Sequence, residues 1–284
     1  MIRKATDADI PALSAFFDAH IESSMFLQSN LMAHGIGNTD HQHGTTYFLR
    51  ENGDGIAAVL GATNGGMLMC QMPGLTKIEA EAWAYALQGF TLNGMTGDAD
   101  QVALFLDALP LDGADWQINA DQPLFSCEIA ALDACDARIR AVTEQDAALL
   151  SEWIPQYLTD SGLAVDPVDP SVVTAHVNGI LSKGTSVVLL DGPDPVALSG
   201  LNAMAGRAVQ VGGVFVPRER RGQGFAGAVV AGHLASLASQ GYEMAILFAA
   251  SDVAASAYKR IGFQPIGAYR VALLSQPVTL GVPA

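Results

Sequence analysis

The stretch Pro217-Arg218-Glu219-Arg220-Arg221-Gly222-Gln223-Gly224-Phe225-Ala226-Gly227 decides the fold, because it joins a strand pattern to a helix pattern. The valine-rich residues 208–216 precede it, and Val230, Leu234 and Leu237 follow at helical spacing. Two glycines let successive backbone N–H groups point into one concavity, and the following helix adds its unpaired N–H groups and the positive end of its dipole. The stretch therefore predicts a turn that binds an anion, most naturally phosphate.

The length and composition bound the class of protein. The chain has 284 residues, 50% of them hydrophobic, which is enough for two domains with a sizeable core. No apolar run approaches the roughly 18 to 20 residues of a membrane span, and the polar sequence after Met1-Ile2-Arg3-Lys4 does not resemble a signal peptide. Three scattered cysteines fit a reducing compartment. We therefore expect a soluble, cytoplasmic protein.

The charge is strongly acidic, with one basic exception. A net charge of −15 argues against nucleic acid or anionic membranes as partners. Only 14 Lys and Arg residues occur, yet Arg218, Arg220 and Arg221 fall within four positions, beside the glycine turn. This cluster would attract an anionic ligand locally. The surrounding acidity either favours a cationic substrate such as an amine or only keeps the protein soluble.

A repeat indicates that the chain is a duplicated domain. Residues 2–9 and 139–146 align at a constant offset of 137, close to half the chain. In both copies a Thr is followed three residues later by an Asp, the pattern of a capping-box-like helix start after a short strand. The alternative is a chance resemblance between two helix starts. We expect domains at 1–135 and 136–284, joined by a linker near 131–137.

The two halves have the same predicted order but different turns. In the first half, a hairpin at 45–60 and a strand at 67–72 lead into Pro73-Gly74-Leu75-Thr76-Lys77, which has one glycine and no arginine cluster. A helix, a strand and another helix follow in each half, which predicts a mixed α/β fold. The first half is therefore expected to be structural, or a wall of the substrate pocket, while the second half carries the chemistry.

Two motifs resemble the GNAT superfamily of acyl-CoA-dependent N-acyltransferases. Arg221-Gly222-Gln223-Gly224-Phe225-Ala226 matches the family pattern Arg/Gln-x-x-Gly-x-Gly/Ala after the fourth strand. Downstream, Ala254, Tyr258 and Gly262-Phe263 match Asn-x-x-Ala-x-x-x-Tyr-x-x-x-Gly-Phe, except that Ser251 replaces the Asn. Serine is still a good N-cap. The first half resembles the degenerate copy found in tandem-GNAT proteins.

The resemblance implies two tandem GNAT-like domains of mixed α/β structure and an N-acetyltransferase activity. The acetyl group of acetyl-CoA would move to a primary amine of a small molecule, amino acid or peptide, by direct attack on the thioester. Coenzyme A is then the co-substrate, no metal is expected, and the protein is a monomer or homodimer. The alternatives are a longer acyl group, a thiol-precursor amine as in mycothiol-synthase-like tandem proteins, and a non-catalytic CoA-binding or regulatory module.

The resemblance also assigns roles along the glycine turn. The pyrophosphate would lie on the N–H groups of residues 222–227, with added charge from Arg221, while Arg218 and Arg220 either bind the 3′-phosphate or are plain surface arginines. The pantetheine arm would lie like an extra strand against residues 214–216, beside a bulge at Gly212-Gly213. The residues expected to contact the cofactor are Val214, Phe215, Val216, Arg221, Gly222, Gln223, Gly224, Phe225, Ala226, Gly227, Ser251, Ala254 and Tyr258.

By the same analogy Tyr258 is the catalytic acid that protonates the leaving thiolate. The general base is not readable from the sequence: Gln210 stands where some relatives carry a carboxylate, and an amide cannot take a proton. Trp153, Tyr157 and the loop 159–169 occupy the segment that shapes the acceptor pocket. Histidines in and near a Gly/Asp-rich loop are weak metal candidates, because no carboxylate pattern accompanies them. They are His34, His41 and His43.

Overall fold

The structure, a computed structural model, describes residues 1–132 and 137–281. It divides into two compact units. Unit 1 combines residues 1–122 with the segment that starts at Gly267, and unit 2 covers Pro123–Ile266. The predicted linker at 131–137 lies largely outside the described residues.

Both halves of the sequence contain the same order of elements, as a duplication predicts. The first half runs through β1 (Ile2–Lys4), α1 (Ile10–Asp18), α2 (Ile21–His34), β2 (Thr45–Asn52), β3 (Gly55–Thr63), β4 (Met67–Gln71), α3 (Lys77–Tyr85), β5 (Thr91–Asp98), α4 (Ala99–Asp107) and β6 (Trp116–Glu128). The order then repeats as β7 (Ile139–Ala141), α5 (Ala147–Asp160), α6 (Pro170–Lys183), β8 (Val187–Asp191), β9 (Asp194–Ala205), β10 (Ala208–Phe215), α7 (Phe225–Ala238), β11 (Met244–Phe248), α8 (Asp252–Arg260) and β12 (Gln264–Thr279).

The repeated sequence motif forms the same ion pair and the same helix cap in both units. In unit 1, both guanidinium nitrogens of Arg3 donate to the Asp9 carboxylate at 2.8 Å, and the Thr6 amide donates to the same carboxylate at 2.8 Å. The first turn after Thr6 is a 3-10 turn, which continues into α1. Unit 2 repeats each contact, with distances of 2.7 to 2.8 Å. The counterparts there are Arg140, Thr143 and Asp146.

The sheets show that the last strand of each half is exchanged. In unit 1 the order is β1-β2-β3-β4-β5-β12, with β4 and β5 parallel. In unit 2 it is β7-β8-β9-β10-β11-β6, with β10 and β11 parallel. Hence β12, which ends the second half, pairs with β5, and β6, which ends the first half, pairs with β11. The observed units therefore differ from the predicted division at residue 135, because ladder hydrogen bonds decide membership and sequence order does not.

Apolar side chains on both faces of each sheet form the cores. In unit 2, Val209 and Val211 of β10 pack with Val230 and Leu234 of α7 on one face. On the other face, Phe215 packs with Trp153 of α5. In a regular strand, residues 209, 211 and 215 would share one face, so the irregularity between Gly212 and Phe215 is what turns Phe215 to the opposite face. β10 therefore packs against helices on both sides.

Among the described residues, none of the helices combines the length and apolar character needed to cross a membrane.

Candidate functional site

The strands β10 and β11 separate at a defined point. Their parallel ladder joins Ala208 to Met244, Val209 to Ala245 and Gln210 to Ile246, and then stops. Both strands continue beyond it, β10 to Phe215 and β11 to Phe248. In the described part of the chain, the last residues of β10 therefore form a ladder with β9 only, and their backbone on the β11 side lies outside any ladder.

A bulge accompanies this separation, as the glycine pair predicts. The register between β10 and β9 shifts between Gly212 and Phe215. Gly213 adopts φ +62°, a left-handed conformation that favours glycine. A side chain on Gly212 would overlap the side-chain amide of Asn202, which packs over this glycine. The bulge re-aims the end of β10 just before the turn.

The turn itself joins β10 to α7, as the sequence predicts. Gly222 and Gly224 have φ of +77° and +84°, and nothing lies within 4 Å of a Cβ built at either position. The protein therefore needs glycine there for the backbone conformation and not for space. Gly224 is the N-cap of α7 and supplies no side-chain cap. The first amides of α7 consequently have no intrahelical partner and face an open turn.

The three arginines beside the turn are all paired with carboxylates. Arg218 Nη2 lies 2.6 Å from Asp160 Oδ1, and Arg221 Nη2 lies 2.5 Å from Asp160 Oδ2. Arg221 Nε also donates to the carbonyl of Val216 at 3.0 Å. Arg220 contacts Asp191 at 3.6 Å. Partial burial opposes ionisation of Asp160, but the hydrogen bonds from Arg218 and Arg221 outweigh it and lower its pKa.

The sequence placed Asp160 in the predicted loop 159–169 without a role of its own, whereas in the structure α5 extends to this residue. It lies 58 residues before Arg218, and its position at the end of α5 carries no local signal. A carboxylate at a helix C-terminus is disfavoured by the helix dipole. Only the folded arrangement of α5 against the turn reveals its role.

Tyr258 lies in the core beside the turn. Ser251 is the N-cap of α8, and its hydroxyl accepts a hydrogen bond from the Ala254 amide at 3.2 Å. About two turns after this N-cap, Tyr258 is only 7% exposed, with its ring 6.1 Å from that of Phe263. Burial, and then the nearby Tyr157, raise the pKa of Tyr258. The phenol therefore stays protonated at neutral pH and can act as a proton donor.

Tyr157 brings a histidine to this region. The ring of His176, on α6, lies 5.7 Å from the Tyr157 ring. Burial, and then the charge of Lys183, lower the pKa of His176, so this imidazole is neutral at neutral pH. Sequence reasoning missed His176, because nothing in the pattern of α6 distinguishes it from a core-facing position.

Other titratable candidates have structural roles. His233 Nδ1 lies 3.0 Å from the Ser199 hydroxyl, and burial lowers the pKa of His233 to about 4. Gln210 is buried, and its Oε1 has no hydrogen-bond partner among the described residues. Glu243 is paired with Arg207. Gln210 is therefore the polar side chain of β10 at the position where the resemblance would place a general base, and its amide cannot take a proton.

The three candidate histidines, His34, His41 and His43, do not converge as metal ligands. The rings of His34 and His41 are stacked, with centroids 4.2 Å apart and an interplanar angle of 21°. Stacked rings direct their nitrogens outward and not toward a shared point. Across the described residues, no group of three or more His, Cys, Asp and Glu side chains forms a metal-binding arrangement.

A polar groove of about 460 Å³ lies in unit 1, away from these residues. Its lining includes Lys77, Trp116 and Arg270. Asp121 already neutralises Arg270 through contacts of 2.6 and 2.9 Å. The groove therefore lacks the uncommitted amides and the phenol that distinguish the turn of unit 2.

Unit 1 fills the corresponding turn with its own groups. The amide of Met72, just after β4, donates to the Gln101 side chain at 2.5 Å. Thr76 and Glu79 form a capping box at the start of α3. Phe105 stands seven residues after the N-cap of α4, where Tyr258 stands relative to the N-cap of α8.

Comparisons with known proteins agree with this geometry. Residues 169–266 match the family described as "Acetyltransferase (GNAT) domain". The matched segment lies entirely within unit 2 and ends at the same residue. Among curated protein sequences, no relative of the chain is found.

Solved structures share the fold over nearly the whole chain. A GCN5-related N-acetyltransferase from Sphaerobacter thermophilus is 15% identical, with a TM-score of 0.55 over 100% of this chain and 97% of its own. One from Kribbella flavida is 16% identical, with a TM-score of 0.53 over 91% and 95%. A Drosophila protein is 14% identical, with a TM-score of 0.60 over 96% and 98%. Residues 169–266 thus match a GNAT acetyltransferase domain, and the solved structures share the fold of nearly the whole chain.

Proposed function

We propose that this protein transfers an acetyl group from acetyl-CoA to a primary amine of a small molecule, amino acid or peptide. One arrangement carries the proposal: in the family-matched unit, an open glycine turn follows a strand that has separated from its neighbour, and a protonated tyrosine is buried beside them. A thioester cofactor with a diphosphate needs an anion site, a strand-like edge and a proton donor. Unit 2 has all three.

The turn is the proposed site for the diphosphate of coenzyme A. The amides of residues 222–227 would donate to its oxygens, and the dipole of α7 would favour its negative charge. Arg221 would add a charge-assisted contact. The pantetheine arm would then pair with the β11-facing backbone of Val214, Phe215 and Val216, where the ladder has ended. Ser251 and Ala254, at the start of α8, would flank the thioester end.

The chemistry proposed here is a direct displacement. The amine nitrogen attacks the thioester carbonyl carbon, the new N–C bond forms, and the C–S bond breaks. A backbone N–H near Val214 or Phe215 would stabilise the oxyanion. Tyr258 donates its phenolic proton to the leaving sulfur. Holding amine and thioester in line would supply most of the rate gain.

The acceptor is proposed to approach from the side of α5 and α6. A primary amine is an ammonium ion at neutral pH, so it must lose a proton before it attacks. His176 is neutral and contacts Tyr157, which in turn lies near Tyr258. We assign the ammonium proton to His176, directly or through water. The net charge of −15 would favour cationic acceptors.

The test is a calorimetric titration with acetyl-CoA, followed by an assay of thiol release over a panel of amines. Binding together with release on at least one amine supports the proposal. Binding without release on any amine would indicate a regulatory CoA-binding module instead. Repeating the assay with longer acyl-CoA thioesters identifies the acyl group. A chain without measurable affinity for coenzyme A would refute the proposed function.

A further inference from the structure

One carboxylate holds the two arginines that border the turn. Asp160 accepts from Arg218 through Oδ1 and from Arg221 through Oδ2, at 2.6 and 2.5 Å. Its side chain is 29% exposed, less than either guanidinium. The bridge therefore closes over the side of the turn where Arg221 would meet an anion.

Asp160 is also the last residue before a segment that leads to α6. Residues 161–169 connect α5 to α6, and Asp169 caps the start of α6. The first part of this segment is held by α5: Leu163 and Ala164 pack against the core, and their amides donate to the Leu158 carbonyl at 2.8 and 3.1 Å. Val165, in contrast, is 86% exposed. A second carboxylate of the segment, Asp166, also acts electrostatically on Arg218. The arginines thus contribute ionic contacts to the end of α5 and to Asp166.

We propose that Asp160 is an internal competitor for the anion that binds the turn, so that filling the turn releases residues 165–168. The Asp160 carboxylate carries one negative charge, whereas a diphosphate carries more charge and more acceptor oxygens. Arg221 is anchored at its Nε by the Val216 carbonyl, so the end of its side chain is the part that turns from Asp160 to the anion. The identity of the anion rests on the proposed function; the competition does not.

This competition links the two ends of the site. Before the anion binds, the segment beside Tyr157 and His176 is tied to the turn through Asp160. After the anion binds, that segment is free to rearrange around an acceptor. The expected order of binding is therefore cofactor first and amine second.

The test compares the wild type with two variants that each remove one negative charge from α5. Asp160→Asn breaks the bridge, and Glu152→Gln changes an exposed residue of the same helix. Calorimetric titrations use coenzyme A and, separately, inorganic pyrophosphate. Asp160→Asn should bind each anion about fivefold more tightly, the effect expected from removing two exposed ion pairs. Glu152→Gln should match the wild type.

The outcomes separate this inference from the proposed function. Unchanged or weaker anion binding in Asp160→Asn would overturn the proposed competition. Weaker binding would show that Asp160 only positions Arg221 for the anion, so that removing the carboxylate lowers the affinity. If Asp160→Asn binds pyrophosphate more tightly than the wild type does, but neither protein binds coenzyme A, the proposed competition stands and the proposed function is refuted. If the wild type and Asp160→Asn bind neither anion, both fail.

Hydrogen exchange supplies an independent readout. Amides of Val165, Asp166 and Val168 should exchange faster in the wild type once coenzyme A or pyrophosphate is added. In Asp160→Asn they should exchange fast from the start. Slow exchange in Asp160→Asn without ligand would contradict the proposed release.

Discussion

The turn after β4 and the turn after β10 occupy the same place in the repeated order of elements, yet their contents differ. At the start of α3, Thr76 and Glu79 satisfy each other's backbone amides in a capping box. At the start of α7, the residues in those two positions are Gly224 and Gly227, and neither offers a side-chain cap. Side chains therefore pair with backbone amides at the start of α3, whereas the backbone amides at the start of α7 can donate to a ligand.

The comparison extends to the helix that follows. Phe105 and Tyr258 stand seven residues after the N-caps of α4 and α8, and both are buried. They differ by a hydroxyl group. In addition, the Gln101 side chain accepts a hydrogen bond from the Met72 amide just after β4. The last residues of β10, in contrast, form no ladder on the side that faces β11. At the compared positions, side chains of unit 1 pair with backbone amides, whereas the start of α7 in unit 2 has no side-chain cap.

The largest expected effect comes from replacing Tyr258 of unit 2 by phenylalanine, the residue that unit 1 has at the equivalent position, Phe105. Tyr258→Phe should lower turnover about a hundredfold, because the leaving thiolate loses its proton donor. The affinity for coenzyme A, measured by calorimetry, should stay within about twofold, since the diphosphate contacts are untouched. Thiol release at saturating cofactor measures the turnover.

Tyr85→Phe is the control for this substitution. Tyr85 is 63% exposed on α3 of unit 1 and loses the same hydroxyl group. It should retain full turnover. Equal turnover in Tyr258→Phe and the wild type would remove the acid role from Tyr258.

A smaller effect should separate the two turns. Gly224→Ala forces an alanine into φ +84°, and Gly74→Ala does the same at φ +72° in the turn of unit 1, with open space at both positions. Each should lower the free energy of unfolding by about 1 kcal/mol. Only Gly224→Ala should weaken coenzyme A binding, by about tenfold, because its amides line the proposed anion site. Equal binding losses in both variants would place the ligand elsewhere.

The smallest effect concerns the repeated ion pair. Hydrogen bonds from Arg140 lower the pKa of Asp146, so the carboxylate stabilises the fold above the pKa of the unfolded chain, near 4, and this contribution disappears as the pH falls through the folded value. Asp146→Asn should therefore lower the free energy of unfolding by about 1 to 2 kcal/mol at pH 7. The difference in this free energy between the variant and the wild type should become smaller in acid. Urea unfolding at several pH values measures the difference.

Asp9→Asn tests the same contact in unit 1. The Asp9 side chain is 15% exposed, against 5% for Asp146, so solvent screens it more. Its loss at pH 7 should be smaller than that of Asp146→Asn, with the same direction of pH dependence. A larger loss for Asp9→Asn would show that the two copies are not equivalent in their caps.

The sequence predicted those parts of the molecule that depend on local patterns. The offset of 137 predicted the duplication, the glycine pair predicted the bulge in β10, and Ser251 predicted the N-cap of α8. Contacts between distant segments were not predictable in this way. Asp160 reaches the arginines across 58 residues, and His176 meets Tyr157 only because α5 and α6 pack together. The domain division at 135 differed from the observed units because pairing partners of β6 and β12 are set by tertiary contacts.

The exchange of β6 and β12 bears on how the chain is made. Unit 2 is a continuous stretch, whereas unit 1 receives its sixth strand only from residues that follow unit 2. Domains usually fold in the order of their synthesis. Here the ribosome must translate all of unit 2 before the edge of β5 can be covered, so the half that begins first is completed last. Until β12 is translated, the strand that pairs with this edge of β5 in the finished protein is missing.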